Sequence, residues 1–267
     1  MPFVGTAHGA VSYGRAKIAG AFKPQSSGLA MWMDATDPLG TGTPPANGAA
    51  MTSWYDKTGN LTNMTAPNGL VSYSNVGFNG YPTMVFSNNS AYLSGGPYVA
   101  GGSYTDTFQN NKQNTFFMVA YMPVYTSANS VLQLGTTKGE AYRPFQHWGQ
   151  TFGVRHATSA ADWVGSFAPY NGDTSFLFTS YNDGSTMGGV MNGGTTYTTN
   201  SVYAFAANSV INQWLLFGPA NVSEIVMYNT VLDTTQRQKI EGYLAWKWGL
   251  QANLPSGHPY KSAAPTG

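Results

Sequence analysis

From Leu29 onward, apolar and polar positions alternate in short runs separated by turn residues, which is the period-two pattern of β-strands. Leu29 to Asp34 opens the series, and the Pro- and Gly-rich stretch Pro38 to Gly48 interrupts it. Met51 to Tyr55 then runs into the turn Asp56 to Asn60, and Asn79-Gly80 leads into Tyr81 to Phe86 with apolar side chains on alternate positions. Thr115 to Met122 is nearly continuous in apolar residues at strand length. That predicts a central strand covered on both faces. Ser130 to Gly135 follows as a shorter strand. Ser175 to Tyr181 ends at Asn182-Asp183-Gly184, a tight-turn sequence whose glycine tolerates positive φ. Asn192-Gly193-Gly194 closes the next strand, and Gln213 to Gly218 and Glu224 to Tyr228 are the last two. About a dozen short strands with frequent turns, and no alternation of strand with helix, predict an all-β, two-sheet antiparallel jelly-roll sandwich.

One helix interrupts this pattern. Asp233 is placed to cap it, with Gln236 three residues on as in a capping box. Ile240, Tyr243, Leu244 and Trp248 recur at helical spacing, and Gly249 supplies the stop. The spacing predicts a helix from Thr234 to Trp248 lying on one sheet. Trp246 falls off the stripe, so it packs on a neighbouring loop or is exposed. Residues 1–27 are rich in Gly, Ala and Ser, carry Arg15, Lys17 and Lys23, and show little periodicity. They read as an extended arm preceding a sandwich over 28–267, frayed or tied down by a partner.

The C-terminal run resembles a signature of concanavalin A-like, laminin-G-like domains of the type found in bacterial and large-virus surface proteins. The matching residues are Glu224 to Asn229, Leu232, Gln236 to Leu250, Leu254-Pro255 and His258-Pro259-Tyr260. Upstream, Trp32 to Ala35, Trp54 to Gly59 and Asn79 to Phe86 fit the same family in the expected order. The resemblance spans roughly Gly28 to Pro265, with the middle matching in hairpin pattern alone. It implies a two-sheet sandwich and a structural role for Glu224, Ile240, Tyr243, Leu244 and Trp248. It does not imply one function, because the fold hosts lectins, glycosidases and adhesive modules.

Composition narrows the chemistry. Charged residues make up 9% of the 267, against about a quarter in an average soluble domain. A surface solvated by neutral polar groups suits contact with sugars or neighbouring subunits, because few charges need desolvating. It equally suits a turn-rich β-protein with no such role. Net charge is +1 with the basic residues scattered, so the footprint for nucleic acid is missing. No apolar stretch approaches the about 20 residues that cross a bilayer. Cysteine is absent, which excludes disulfides, thiolate metal sites and cysteine nucleophiles.

A retaining glycosidase of this fold presents Glu-x-Asp-x-x-Glu along one strand, since alternate residues share a face and two carboxylates must flank the scissile bond. The chain has three glutamates, Glu140, Glu224 and Glu241, and none has a carboxylate two or five residues downstream. Glu140 with Asp162 is the remaining combination. None of the four histidines accompanies a Gly-x-Ser-x-Gly elbow. The chain is therefore expected not to be an enzyme, with glycoside hydrolysis as a remote alternative. No cofactor is expected. Calcium is the metal to weigh, with Asp34 and Asp56 as candidate ligands beside Asp37 and Asp106. The same aspartates suit Asx turns, in which the carboxylate caps nearby backbone amides.

Recognition chemistry concentrates between Lys138 and Tyr170, where Tyr142, Arg143, His147, Trp148, Arg155, His156 and Trp163 are the ligand- or partner-binding candidates, read as loop residues. Aromatic faces flanked by polar groups bind sugar rings, and Trp, Tyr and Arg dominate protein interfaces. Against this stands a second reading, in which Phe145, Trp148 and Phe152 alternate into the core. Two functions follow. One is a structural or surface protein of a virus particle, located in the virion, assembling with other particle proteins or with itself and contacting glycans. It draws on Met1 standing directly before the arm, with no secretory leader visible. The alternative is a carbohydrate-binding module of a bacterial or phage-tail surface protein, extracellular or at the cell surface.

Overall fold

The computed structural model describes residues 22–60, 64–66, 69–88, 90–95, 113–122, 129–136, 141–148, 151–157, 166–169, 173–200 and 211–267. Within them, two antiparallel eight-stranded sheets face each other and one α-helix covers the outside of the first. The first sheet runs β14 (Thr196–Asn200), β13 (Thr186–Met191), β12 (Thr174–Asn182), β7 (Asn114–Met122), β16 (Ala220–Tyr228), β5 (Thr83–Phe86) and β4 (Val71–Ser74). β16 pairs with β7 along one edge and divides the other: Ala220 to Val222 face β5, and Glu224 to Tyr228 face β1 (Leu29–Asp34). The change of partner falls at Ser223, whose hydroxyl donates to Pro82 O at 2.8 Å and whose carbonyl accepts from Ala35 N.

The second sheet runs β11 (Ser166–Pro169), β10 (Thr151–Ala157), β9 (Ala141–Trp148), β8 (Asn129–Thr136), β15 (Ile211–Phe217), β6 (Tyr92–Gly95), β3 (Met64–Thr65) and β2 (Ser53–Trp54). The expected dozen strands become sixteen, because two-residue pieces such as β2 and β3 are too short to show periodicity. Lys138 to Tyr170, read as loops, instead contains β9, β10 and β11. Its mixed polar and apolar residues are the alternation of strands with one face in the core.

Between the sheets, Phe176 and Phe178 of β12 meet Phe145 of β9 and Phe152 of β10, at ring centroid separations from 4.8 to 6.2 Å. All four rings are buried. On the other face of the first sheet, Phe117 of β7 meets Tyr228 edge-on, beneath the helix. β7 is thus covered on both faces, as its unbroken apolar run predicts. The helix, α1 (Thr234–Lys247), has the reciprocal capping box. Asp233 Oδ1 accepts from Gln236 N at 2.8 Å, and Gln236 Oε1 accepts from Asp233 N at 3.1 Å. It ends with Gly249 at φ 70° and Leu250 N donating to Ala245 O, a Schellman closure. Trp246 packs on the C-terminal tail, its indole N–H donating to Tyr260 O at 2.8 Å.

The turn at Asn192-Gly193 has both φ values positive, 52° and 66°, as a tight hairpin turn requires. Of the arm expected over residues 1–27, the part before Phe22 lies outside the described residues. Phe22 itself is buried, edge-on to Tyr243 with Lys239 over its ring.

Candidate functional site

Where α1 meets β1 and β16, charged and aromatic side chains converge on one carboxylate. Glu224 is fully buried. Its Oε1 accepts from Trp32 Nε1 at 2.7 Å and Tyr243 Oη at 3.1 Å, and its Oε2 from Trp248 Nε1 at 2.6 Å and Lys247 Nζ at 2.6 Å. Lys247 also donates to Asp34 Oδ2 at 2.9 Å, and Lys57 reaches the same oxygen at 2.7 Å. Burial alone would raise the Asp34 carboxyl, but Lys247 and Lys57 overcome it and hold it well below the usual carboxylate range. Burial pushes Glu224 up, against the pull of Lys247. Burial works to lower Lys247, and Glu224, Tyr243 and Asp34 more than reverse that, so it stays charged above the usual lysine range.

With four donors on its two oxygens, Glu224 has no lone pair left for a substrate proton. Its place is a latch that holds α1 to the sheet. Glu241 is likewise enclosed, between Arg237 Nη1 at 3.1 Å and His258 Nε2 at 3.3 Å. Ile240 and Leu244 are buried on the same side of α1 as Tyr243 and Trp248.

The aspartates weighed as calcium ligands have other partners. Asp34 Oδ1 accepts from Thr36 N and Thr36 Oγ1, and two ammonium groups supply the counter-charge on Oδ2. Asp56 caps Trp32 N at 2.8 Å and Thr58 N at 3.2 Å, and takes the Thr58 hydroxyl at 2.6 Å. Asp37 caps Thr41 and Gly42. Asp34 on Thr36 and Asp56 on Thr58 are Asx turns, two residues apart. Among the described residues no group of three or more His, Asp or Glu is placed to hold a metal. Asp106 lies outside the described residues, as do Glu140 and Asp162.

Six of the seven recognition candidates come together on one ladder. Across β9 and β10, Tyr142 stands opposite His156, Arg143 opposite Arg155, His147 opposite Phe152 and Trp148 opposite Thr151. Phe145 and Phe152 of this hairpin are core residues. Trp163 lies outside the described residues.

A second surface, which periodicity did not single out, opens beside the C-terminus of α1 on the outer face of the first sheet. It is a cleft of about 550 Å³ bordered by Asn79, Tyr121, Asp173, Ser175, Leu250 and Asn253. Tyr121 Oη donates to Asp173 Oδ1, Asn79 Nδ2 to Ser175 Oγ at 3.3 Å, and Asn253 Nδ2 to Ser175 O at 3.4 Å. Asn79 and Asp173 both have left-handed backbone, at φ 55° and 56°. The Asn79-Gly80 turn was legible in the sequence. Its meeting with residues 94 and 174 positions further along was not, since only the strand order brings them together.

No protein-family model matches the chain, and no curated protein matches it. Solved structures do resemble it. Trypanosoma rangeli sialidase in complex with sialic acid superposes with a TM-score of 0.56 at 12% identity, over 83% of this chain and 33% of that one. A botulinum neurotoxin type C structure, whose cell entry depends on interaction with two ganglioside molecules, gives 0.58 at 8%, over 81% and 51%. Domain 4 of a GH43 extracellular arabinanase from Geobacillus stearothermophilus, in complex with arabinotriose, gives 0.57 at 12%, over 79% and 97%. The chain thus spans about a third of the sialidase, half of the neurotoxin chain and nearly all of the arabinanase domain. At these identities the likeness concerns the fold, and that fold is a two-sheet antiparallel β-sandwich.

Proposed function

We propose that the chain is a non-catalytic, carbohydrate-contacting module of laminin-G-like type. The observation that carries this reading is the β9–β10 ladder, which sets Tyr142 opposite His156 and carries Trp148 opposite Thr151, with Arg143 opposite Arg155 one position along, in a chain where 9% of residues are charged. Aromatic rings beside hydrogen-bonding groups are the chemistry that stacks on sugar faces and reads sugar hydroxyls. Enclosure of Glu224 and Glu241 supports the non-catalytic part. The arabinanase domain, matched over 97% of its length, is in complex with arabinotriose, and it lends the reading support by analogy.

The test is a glycan array spanning neutral and acidic sugars, probed with the wild type and with Trp148→Ala. Binding that falls at least tenfold in the variant is expected. An array blank for the wild type would sink the proposal.

An assembly role, in a virus particle or another surface layer, is the second reading. What favours it is β14, which ends its sheet among the described residues and carries exposed Thr196, Tyr197 and Thr198. A polar, charge-free edge of this kind accepts a strand from a neighbouring subunit. Sedimentation of the pure protein as a concentration-independent monomer would argue against self-assembly.

A further inference from the structure

We infer that the cleft beside the C-terminus of α1 is a binding site for a neutral saccharide, separate from the β9–β10 ladder. The inference rests on the chain contacting sugar, but not on the ladder being the place. Three residues with an oxygen acceptor, all exposed, border the cleft. Asp173 Oδ2, Asn79 Oδ1 and Asn253 Oδ1 carry no hydrogen bond among the described residues, although the other atom of each group is engaged. A sugar edge presents hydroxyl donors in a row, and acceptors in carboxylate and amide groups are what such an edge pairs with. The walls are set in place by the bonds on Asp173 Oδ1, Asn79 Nδ2 and Asn253 Nδ2, so little side-chain freedom remains to be lost on binding. The volume of about 550 Å³ lies inside the roughly 300–1,000 Å³ range of small-ligand pockets.

Backbone conformation points the same way. Three residues other than glycine have positive φ among the described residues, and two of them, Asn79 and Asp173, stand at this one cleft. Asn and Asp take this left-handed geometry readily in turns, and here it sets both residues at the cleft wall.

Charge selects the ligand class. Among the described residues Asp173 is the charged one at the cleft wall, and α1 directs its negative C-terminal end there through Gly249 and Leu250. The lysine of the adjoining turn, Lys261, is tied to Ala252 O at 2.6 Å and Leu254 O at 2.7 Å. A carboxylated sugar would meet negative potential, whereas hydroxyl donors are favoured.

The experiment titrates the full chain with methyl glycosides of glucose, galactose, mannose and arabinose and with sialyllactose, followed by saturation-transfer-difference NMR and calorimetry. Asp173→Ala, Asn253→Ala and Trp148→Ala are run in parallel, each checked for an unchanged melting curve. A neutral glycoside that binds at least tenfold more tightly than sialyllactose, and loses at least tenfold in Asp173→Ala and Asn253→Ala, bears the inference out. Saccharide binding unchanged in both cleft variants but lost in Trp148→Ala would overturn the cleft and leave the sugar-contact reading standing. Sialyllactose bound as well as the neutral glycosides would overturn the charge argument. Failure of every probe, together with a blank array, would overturn both readings.

Discussion

Lys247 on α1 and Glu224 on β16 meet at 2.6 Å, Nζ to Oε2, with the carboxylate fully buried. The pair joins the only α-helix among the described residues to the strand at the middle of the first sheet. Removing Glu224 leaves Lys247 with Asp34 as its remaining counter-charge at 2.9 Å, so the loss falls below the about 3–5 kcal/mol of a fully unpaired buried charge. Glu224→Ala is still expected to lower the urea midpoint, because Lys247, Trp32 and Trp248 all lose an acceptor. Glu224→Gln is expected to lower it less, since the amide keeps one acceptor oxygen but turns an N–H₂ toward another donor. A glutamine variant as stable as the wild type would contradict an ionised Glu224.

The same cluster sets a pH dependence at the alkaline end. Lys247 has its pKa raised in the fold by the neighbouring carboxylates and Tyr243, after burial is overcome. Burial raises the hydroxyls of Tyr243 and Tyr228. For a raised lysine, the stability it contributes is fully present below the unfolded pKa and is lost as pH rises toward the folded one. A raised tyrosine acts in the same direction, because the unfolded chain releases its proton first. The unfolded values are about 10 for both types, so stability is expected to decline from about pH 10 upward. Urea midpoints measured between pH 8 and 11.5 check this, with Lys247→Met expected to flatten the fall.

Asp34 governs the acid side with the opposite sign. Burial acts to raise its carboxyl, but the two lysines prevail and depress it. Its contribution is therefore present above the unfolded value of about 3.9 and is lost as pH falls below that. Asp34→Asn is expected to be less stable at neutral pH and to lose less on acidification. Identical acid limbs in the variant and the wild type would refute the role given to Lys57 and Lys247.

Much of this architecture is legible in the sequence because its signals are local. Asp233 and Gln236 lie three residues apart, and the Asn192-Gly193 turn is self-contained. Thr115 to Met122 shows its burial on both faces as an unbroken apolar run. The latch is legible only in part. Trp248 and Tyr243 show as a helical stripe, but nothing near Glu224 in sequence signals that Trp32, 192 positions earlier, would reach it. The β9 and β10 strands escape for another reason: Phe145 and Phe152 stand among Arg, His, Gly and Pro, and a register shift between Gly153 and Arg155 breaks the simple alternation that marks a strand. The cleft is the least legible, since Asn79, Asp173 and Asn253 come from three turns, each ordinary by itself.

Glycine positions in α1 and its tail test how closely these layers are packed. Gly242 lies inside the helix, where alanine is intrinsically better by about 1 kcal/mol. A Cβ there, however, would stand 2.5 Å from Tyr260 Cβ and 2.7 Å from Tyr260 Cγ. Tyr260 has little room to retreat, because its carbonyl holds the Trp246 indole at 2.8 Å and its amide donates to His258 Nδ1 at 3.2 Å. Overpacking of this kind costs about 1–3 kcal/mol, which outweighs the gain in propensity. Gly242→Ala is expected to lower the melting temperature without reducing helical circular dichroism below the transition. Gly257→Ala is the control. A Cβ at that position would meet nothing within 4 Å, and the backbone there is not left-handed, so its melting curve should overlay the wild type. A stabilised Gly242→Ala would mean that the tail after Pro255 yields easily and does not hold α1 in place.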